Sequence, residues 1–375
     1  MAISHISLHL HPPSAGLRSL VRQPPASSFR QTKSQGLRLR LRAETVGNAA
    51  TSTSAVDLKH LVEFLYDDLP HLFDDQGIDR TAYDDKVIFR DPITKHDSIG
   101  GYLFNIRLLK VLFKPFFQLH WVKQTGPSEI TTRWTMVMTF MLLPWKPELI
   151  FTGTSVMGVN PQTGKFCSHL DYWDSLKRND YFSFEGLLDV IKQLRIYKTP
   201  DIETPKYSIL WRTANYEIRN YDPFIVVETA GDKLSGSSGF NDVAGYIFGK
   251  NETMEKIPMT TPVFTQAKNN ECSEVSIQIV LPVDKNLDSL PVPLLEKLSL
   301  RKVPCATMAA LKFSGKPTEE VVTEKEKLLR NYLVQDNLKP TTGCRLARYN
   351  DPGSTWSFIL RNEVMIGIED FSLDS

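Results

Sequence analysis

The hydrophobic positions begin in a helical rhythm. Leu58, Leu61, Val62, Leu65, Leu69 and Leu72 recur at three- and four-residue spacing, which predicts an amphipathic helix over 57–73. Ser98 can cap a second helix running to about Phe113, with Ile99, Tyr102, Leu103, Ile106, Leu109 and Leu112 on its apolar side. The pattern then changes to runs rich in Thr, Val, Ile and aromatic residues at 116–123, 129–142, 149–159 and 166–175, with turn residues such as Gly126-Pro127 and Asn160-Pro161 between them. A last helix is predicted over 184–195. Helices followed by an antiparallel run of long strands make 57–195 an α+β unit.

Residues 196–206 hold two prolines and read as a linker. Beyond them, over 207–370, the period becomes two. Strands are predicted at 207–211, 216–219, 224–228, 259–265, 274–281, 297–302, 304–313, 344–349, 355–360 and 363–369. Helices are predicted over 241–248 and from Thr318, a candidate N-cap, to about residue 334, with Glu326 and Arg330 as an exposed pair one turn apart. Strands–helix–strands therefore occurs twice. That suggests an internally duplicated, distorted antiparallel β-barrel or saddle with a helix on each half.

Charge changes this picture at one place. The formal net charge is +1, but residues 1–43 contain seven Lys or Arg and no acid, so residues 44–375 carry 37 basic and 43 acidic side chains. The first 50 residues are also rich in Ser and Pro and lack a core. They read as a disordered transit peptide. The first ten residues are uncharged and paired prolines interrupt any helix, which favours a chloroplast destination over a mitochondrion. Neither folded half is basic, so a nucleic-acid partner is not expected. The longest apolar run, Trp134 to Trp145, is too short to span a bilayer, and no transmembrane segment is expected. Four scattered cysteines without a Cys-x-x-Cys pair signal neither a zinc site nor a redox pair.

In the first unit, His169 and Asp171 lie two apart on a predicted strand and share a face, so they form a candidate acid–base pair, with His120 and Asp91 as further candidates. A rim or outer-face pair explains His169 and Asp171 equally well, and Asp91 before Pro92 most simply makes a turn. The order of elements, with Phe89-Arg90-Asp91-Pro92 between helices and sheet, resembles the nuclear-transport-factor-two-like (SnoaL-like) cone. More closely, it is similar to a plant and cyanobacterial family of such cones of unassigned function. The resemblance implies a curved sheet around a long helix with an apolar pocket at one end.

In the second unit several blocks stand in order: Tyr216-Glu217-Ile218-Arg219-x-Tyr221, Gly245-Tyr246-Ile247-Phe248-Gly249-Lys250-Asn251, Lys256-Ile257-Pro258-Met259-Thr260-Thr261-Pro262-Val263, Phe313-Ser314-Gly315, Arg348-Tyr349-Asn350-Asp351-Pro352 and Arg361-Asn362-Glu363-Val364. They resemble the SOUL haem-binding family, and the whole chain is similar to its plant plastid two-domain members. The resemblance implies non-enzymatic binding of haem or another tetrapyrrole in an apolar cleft beside the first helix of the barrel. The residues expected at that cleft are Phe240, Val243, Ala244, Ile247, Phe248 and Met254 as an apolar wall, with Gly245 and Gly249 allowing close approach. Lys250, Arg348, Tyr349 and Arg361 are expected at the polar rim, where arginine can pair with a carboxylate bidentately.

All eight histidines lie at or before residue 169, so no histidine of the second unit can ligate iron. The expected function is a plastid haem carrier or buffer, stromal or associated with a membrane or lipid droplets. It would deliver to haem oxygenase or another plastid haem consumer. The cone remains open to two other readings: an enzyme acting on a small apolar metabolite, or a non-catalytic interaction module supporting a dimer.

Overall fold

The computed structural model describes residues 58–269, 274–351 and 353–373. The expected transit peptide and Cys272 lie outside the described residues.

The first part opens with α1 (Leu58–Asp68), β1 (Tyr83–Arg90) and β2 (Lys95–His96). Next come α2 (Ile99–Leu112), the long strands β3 (Phe113–Gly126), β4 (Glu129–Phe140), β5 (Glu148–Val159) and β6 (Phe166–Trp173), and α3 (Phe184–Gln193). The Ser98 side chain accepts from the Gly101 amide at 3.2 Å, so the expected cap forms and starts α2. Strand order is β2-β1-β6-β5-β4-β3. Every pairing is antiparallel except β1 with β6, which is parallel. Sequence periodicity could not have shown this, because pairing partners are set by topology. Apolar faces of α1 and α2 close over the sheet, burying Leu65, Ile99, Tyr102, Val87, Ile130 and Phe166. Further along the same face, α3 lays Val190 and Leu194 against Trp134, Phe151 and Trp173.

The second part contains β7 (Tyr207–Arg212), β8 (Glu217–Tyr221), β9 (Phe224–Ala230), α4 (Phe240–Ile247), β10 (Val263–Ala267) and β11 (Val275–Val280). It continues with β12 (Ser299–Val303), β13 (Ala306–Phe313), α5 (Glu319–Gln335), β14 (Lys339–Pro340), β15 (Cys344–Arg348) and β16 (Asn362–Glu369). The main path through the sheet is β12-β9-β11-β10-β15-β16-β13-β8-β7. Apart from β7 this order is a palindrome of the duplication. β9-β11-β10 of one half faces β15-β16-β13 of the other, and each half lends its first strand, β8 or β12, to the opposite half. The α+β class and the curved antiparallel sheets agree with the pattern of the sequence.

Two expected strands differ. Only Val263 onward of 259–265 is strand, because Pro258 and Pro262 cannot donate to a ladder. Thr260 and Thr261 instead donate their buried hydroxyls to the carbonyls of Val280 and Tyr349, at 2.6 and 3.0 Å. Residues 355–360 form a 3-10 turn, Ser357–Ile359, with Trp356 and Phe358 exposed, so their aromatic content had imitated a strand. The Glu326–Arg330 pair forms at 3.1 Å, but it is largely buried rather than exposed, since Arg330 also donates to the carbonyls of Thr341 and Gly343.

β7 lies across β4 and β5 of the first sheet. Arg212, at its end, forms two bonds to Asp189 of α3, at 2.8 and 2.9 Å, and both side chains are buried. Thr135 donates to the Ile209 carbonyl at 2.7 Å, and Thr152 accepts from the Arg212 amide at 2.8 Å. Burying these charges is tolerable because they are paired and hydrogen-bonded.

Candidate functional site

Helix α4 is laid on the outer face of β9 and β11. Gly239 starts it with φ +82, and a Cβ there would sit 2.6 Å from Thr229 and 2.9 Å from the Ala230 carbonyl. That contact lets the helix begin directly against the sheet. Val243, Ala244 and Ile247, spaced at helical intervals, point into the sheet and pack with Val227, Ile279, Leu281 and Leu298. Tyr246 is buried with them and donates its hydroxyl to the Pro291 carbonyl at 2.8 Å. Three of the six residues expected as an apolar cofactor wall, Val243, Ala244 and Ile247, are therefore core, and Phe240 packs half-buried on the edge of the same cluster.

The chain beyond α4 faces the other way. Phe248 is 65% exposed and Met254 80% exposed, with Lys250 exposed beside them. Buried Asn251 holds this loop: its side-chain amide donates to the carbonyls of Tyr246 and Glu255, at 3.0 and 2.8 Å, and its oxygen accepts from the Glu255 amide at 2.9 Å. The same loop bridges to Pro293, and the Glu252 amide donates to the Val292 carbonyl at 3.0 Å. Val292, Leu294 and Leu295 are exposed on that neighbouring segment. The result is an exposed apolar corner with a rigid backbone. Gly245 and Gly249 do not open a plate-sized gap. The Lys250 stem covers Gly245, 3.0 Å from where a Cβ would stand, and Gly249, at φ +102, turns the chain at the end of α4.

The expected rim residues divide. Arg348 donates to the Gly236 carbonyl at 2.8 Å and to the Thr265 hydroxyl at 2.6 Å, which pins the loop leading into α4. Tyr349 and Arg361 lie inside the barrel, and both donate to Glu363, at 2.9 and 2.8 Å. They are not brought to the α4 corner. Glu363 also takes two bonds from Arg219, at 2.7 and 3.0 Å, and Arg219 donates to Glu217 at 2.8 Å. Burial alone would keep Glu363 neutral, but Arg219 and Arg361 outweigh it and hold its carboxyl well below the usual range. This buried chain was missed as a unit. Its signal was present: Glu-x-Arg-x-Tyr at 217–221 and Arg-x-Glu at 361–363 put opposite charges at period two, so each set faces one side of its strand.

In the first sheet, His169 and Asp171 turn inward. His169 shares hydrogen bonds with Tyr102 at 3.1 Å and Asp171 at 2.9 Å, and Asp171 accepts from Ser155 at 2.6 Å. His169 is buried and meets the rings of Phe89 and Tyr102 edge-on. It is thus neither at the rim nor on the outer face. His120 is apart from this pair, bonded to Thr135 at 2.8 Å, and burial pushes its pKa down to about 4. Asp91 makes the expected turn, accepting from the amides of Ile93 and Thr94 at 2.7 and 2.6 Å. Among the described residues no group of three or more His, Cys, Asp or Glu could hold a metal ion, and no helix is long and apolar enough to cross a membrane.

Comparison with known proteins follows this division. Residues 59–169 match an uncharacterized conserved protein family, DUF2358, and residues 202–367 match the SOUL heme-binding protein family. Heme-binding protein 2 of Mus musculus is 31% identical over 112 residues, 28% of this chain and 52% of that protein. The chain thus spans about half the length of that curated relative. Among solved structures, the C-terminal domain of EcmrR is 14% identical with a TM-score of 0.33, covering 44% of this chain and 99% of that one. An NTF2-like protein of unknown function from Exiguobacterium sp. 255-15 is 15% identical with a TM-score of 0.23, covering 26% of this chain and 80% of that one. Residues 202–367 are thus a SOUL heme-binding domain, preceded by a DUF2358 region.

Proposed function

We propose that the protein binds haem or a related tetrapyrrole, without catalysing a reaction on it, at the apolar corner beyond α4. The observation that carries this reading is the SOUL match over residues 202–367, and exposed Phe248 and Met254 give the ligand a surface. A porphyrin is a flat apolar plate with carboxylates at one edge. Phe248, Met254 and Leu294 suit the plate, and Lys250 suits a carboxylate. The absence of histidine after residue 169 favours binding without histidine ligation. Weak ligation fits a carrier or buffer, which must release its cargo. With the transit-like N-terminus, the working site is the chloroplast, and the recipient is haem oxygenase or another plastid haem consumer. The cone then serves as an interaction module and supports a dimer.

Spectroscopic titration of the full chain with hemin and with metal-free protoporphyrin tests this. A saturable Soret shift that weakens at least tenfold in Phe248→Ala with Met254→Ala is expected. No shift, or equal affinity in the double variant, would remove the α4 corner as the site. A second reading rests on the buried Tyr102–His169–Asp171 chain, which has the composition of an acid–base relay acting on a small apolar metabolite in the cone. Loss of turnover of a screened metabolite in His169→Ala would favour it.

A further inference from the structure

The barrel bore has a second polar end beyond the Glu363 cluster, at Arg345, two residues along β15 from Ala347, the register partner of Glu363. Side chains at alternate positions line the bore: Phe224, Val226 and Glu228 of β9, Phe264 and Gln266 of β10, and Arg345 and Ala347 of β15. At the mouth where the β12–β13 turn stands over β10 and β15 there is a pocket of about 500 Å³. Met308, Met365, Val303 and Ile368 give it an apolar wall. Its charged lining is Arg345, Arg301 and Lys268, and no carboxylate lines it among the described residues.

Arg345 is the unusual member. It is only 9% exposed. One Nη donates to Gln266 at 3.1 Å, while Nε is buried and has no hydrogen-bond partner. It has no ion pair among the described residues, and its guanidinium lies over the Phe264 ring, 4.8 Å from the centroid. Glu228, the acid whose charge acts on Arg345, is already held by Nε and one Nη of Arg301, at 2.8 and 3.0 Å, and by Gln278 at 2.9 Å. The other two cations differ: Arg301 is paired with Glu228, and Lys268 is exposed and paired with Glu274 at 3.2 Å. Burial lowers the Arg345 pKa to about 10, which leaves it cationic at neutral pH. A buried cation with an open donor at the edge of an apolar pocket lacks the partner that such a group requires.

We propose that this pocket binds a small amphipathic organic carboxylate, with its head on Arg345 and its chain against Met308 and Met365. Guanidinium matches a carboxylate in shape and charge, and the wall accepts a short hydrocarbon. The site is separate from the α4 corner, which lies on the outer face of the same sheet.

Calorimetric titration of the full chain with octanoate, and with 1-octanol as the uncharged control, tests the assignment. One octanoate per chain is expected, with 1-octanol at least tenfold weaker. Arg345→Gln should lower octanoate affinity at least tenfold and leave 1-octanol and hemin binding unchanged. Met308→Trp fills the mouth and keeps the guanidinium, and it should abolish octanoate binding. It decides the question should Arg345→Gln fail to fold. No saturable octanoate binding, equal affinity for octanoate and 1-octanol, retained binding in Met308→Trp, or competition between octanoate and hemin would overturn the proposal.

Discussion

Glu217 and Glu363 stay ionised inside the barrel because arginines stand against them. Burial opposes the charge on Glu217, yet Arg219 and Lys312 outweigh it and bring its pKa to about 2. Its folded pKa is below its unfolded value, so its contribution to stability is complete above about pH 4.5 and is lost as pH falls toward 2. That contribution is on the order of 3 kcal/mol. The urea midpoint is expected to fall as pH drops from about 4.5 toward 2, and Glu217→Gln should flatten that fall. A second prediction separates core from surface on α4. Val243→Ala or Ile247→Ala removes fully buried groups, and Ile247→Ala should cost about 2–5 kcal/mol. Phe248→Ala and Met254→Ala should each shift stability by no more than about 0.5 kcal/mol. Denaturant unfolding of the variants checks both. Sequence periodicity placed all of these residues on or beside one helix. It could not say which face meets the sheet, because Phe240, Val243, Ala244 and Ile247 satisfy a core stripe and a ligand wall alike.

Elements were legible where their own residues decide them. Ser98 and Thr318 cap α2 and α5 as their chemistry dictates, and the long strands of the cone follow from their Thr and aromatic content. Pairing was not legible: the parallel β1–β6 contact and the exchange of β8 and β12 depend on residues far apart in sequence. The loop after α4 belongs to this scale. Asn251 satisfies three backbone groups within it, and its side chain is almost wholly buried. Asn251→Ala should leave those groups unsatisfied, cost about 1–3 kcal/mol, and raise amide exchange across 248–256. Hydrogen exchange read by mass spectrometry would show this. Unchanged protection there would mean the loop is held by its contact with Pro293 instead.

For the molecule as a whole, the contact of β7 with the cone is polar, specific and buried. Arg212 depends on Asp189, which also accepts from Ser175 at 3.0 Å. Asp189→Ala would leave a buried guanidinium without its carboxylate and should cost about 3–5 kcal/mol. Loss of the same magnitude from Arg212→Ala, with a double variant that is less than additive, would give the coupling expected of a direct pair. Additive losses would show that the two act through different neighbours. The sequence suggested a linker at this junction because Pro200 and Pro205 flank it; strand β7, directly after, is where the two sheets meet.

The palindromic strand order also bears on how this barrel is made during synthesis. When the ribosome has released β8 to β11, the first half lacks the neighbour that β9 requires, and β8 waits for β13. Neither half can close its own sheet, so committed structure must await nearly the whole domain. Folding of this part should be slow and all-or-none, governed by pairings such as Ile218 with Ala309 that are distant in the chain. A nascent chain truncated after β11 would be open to proteases that the complete barrel resists.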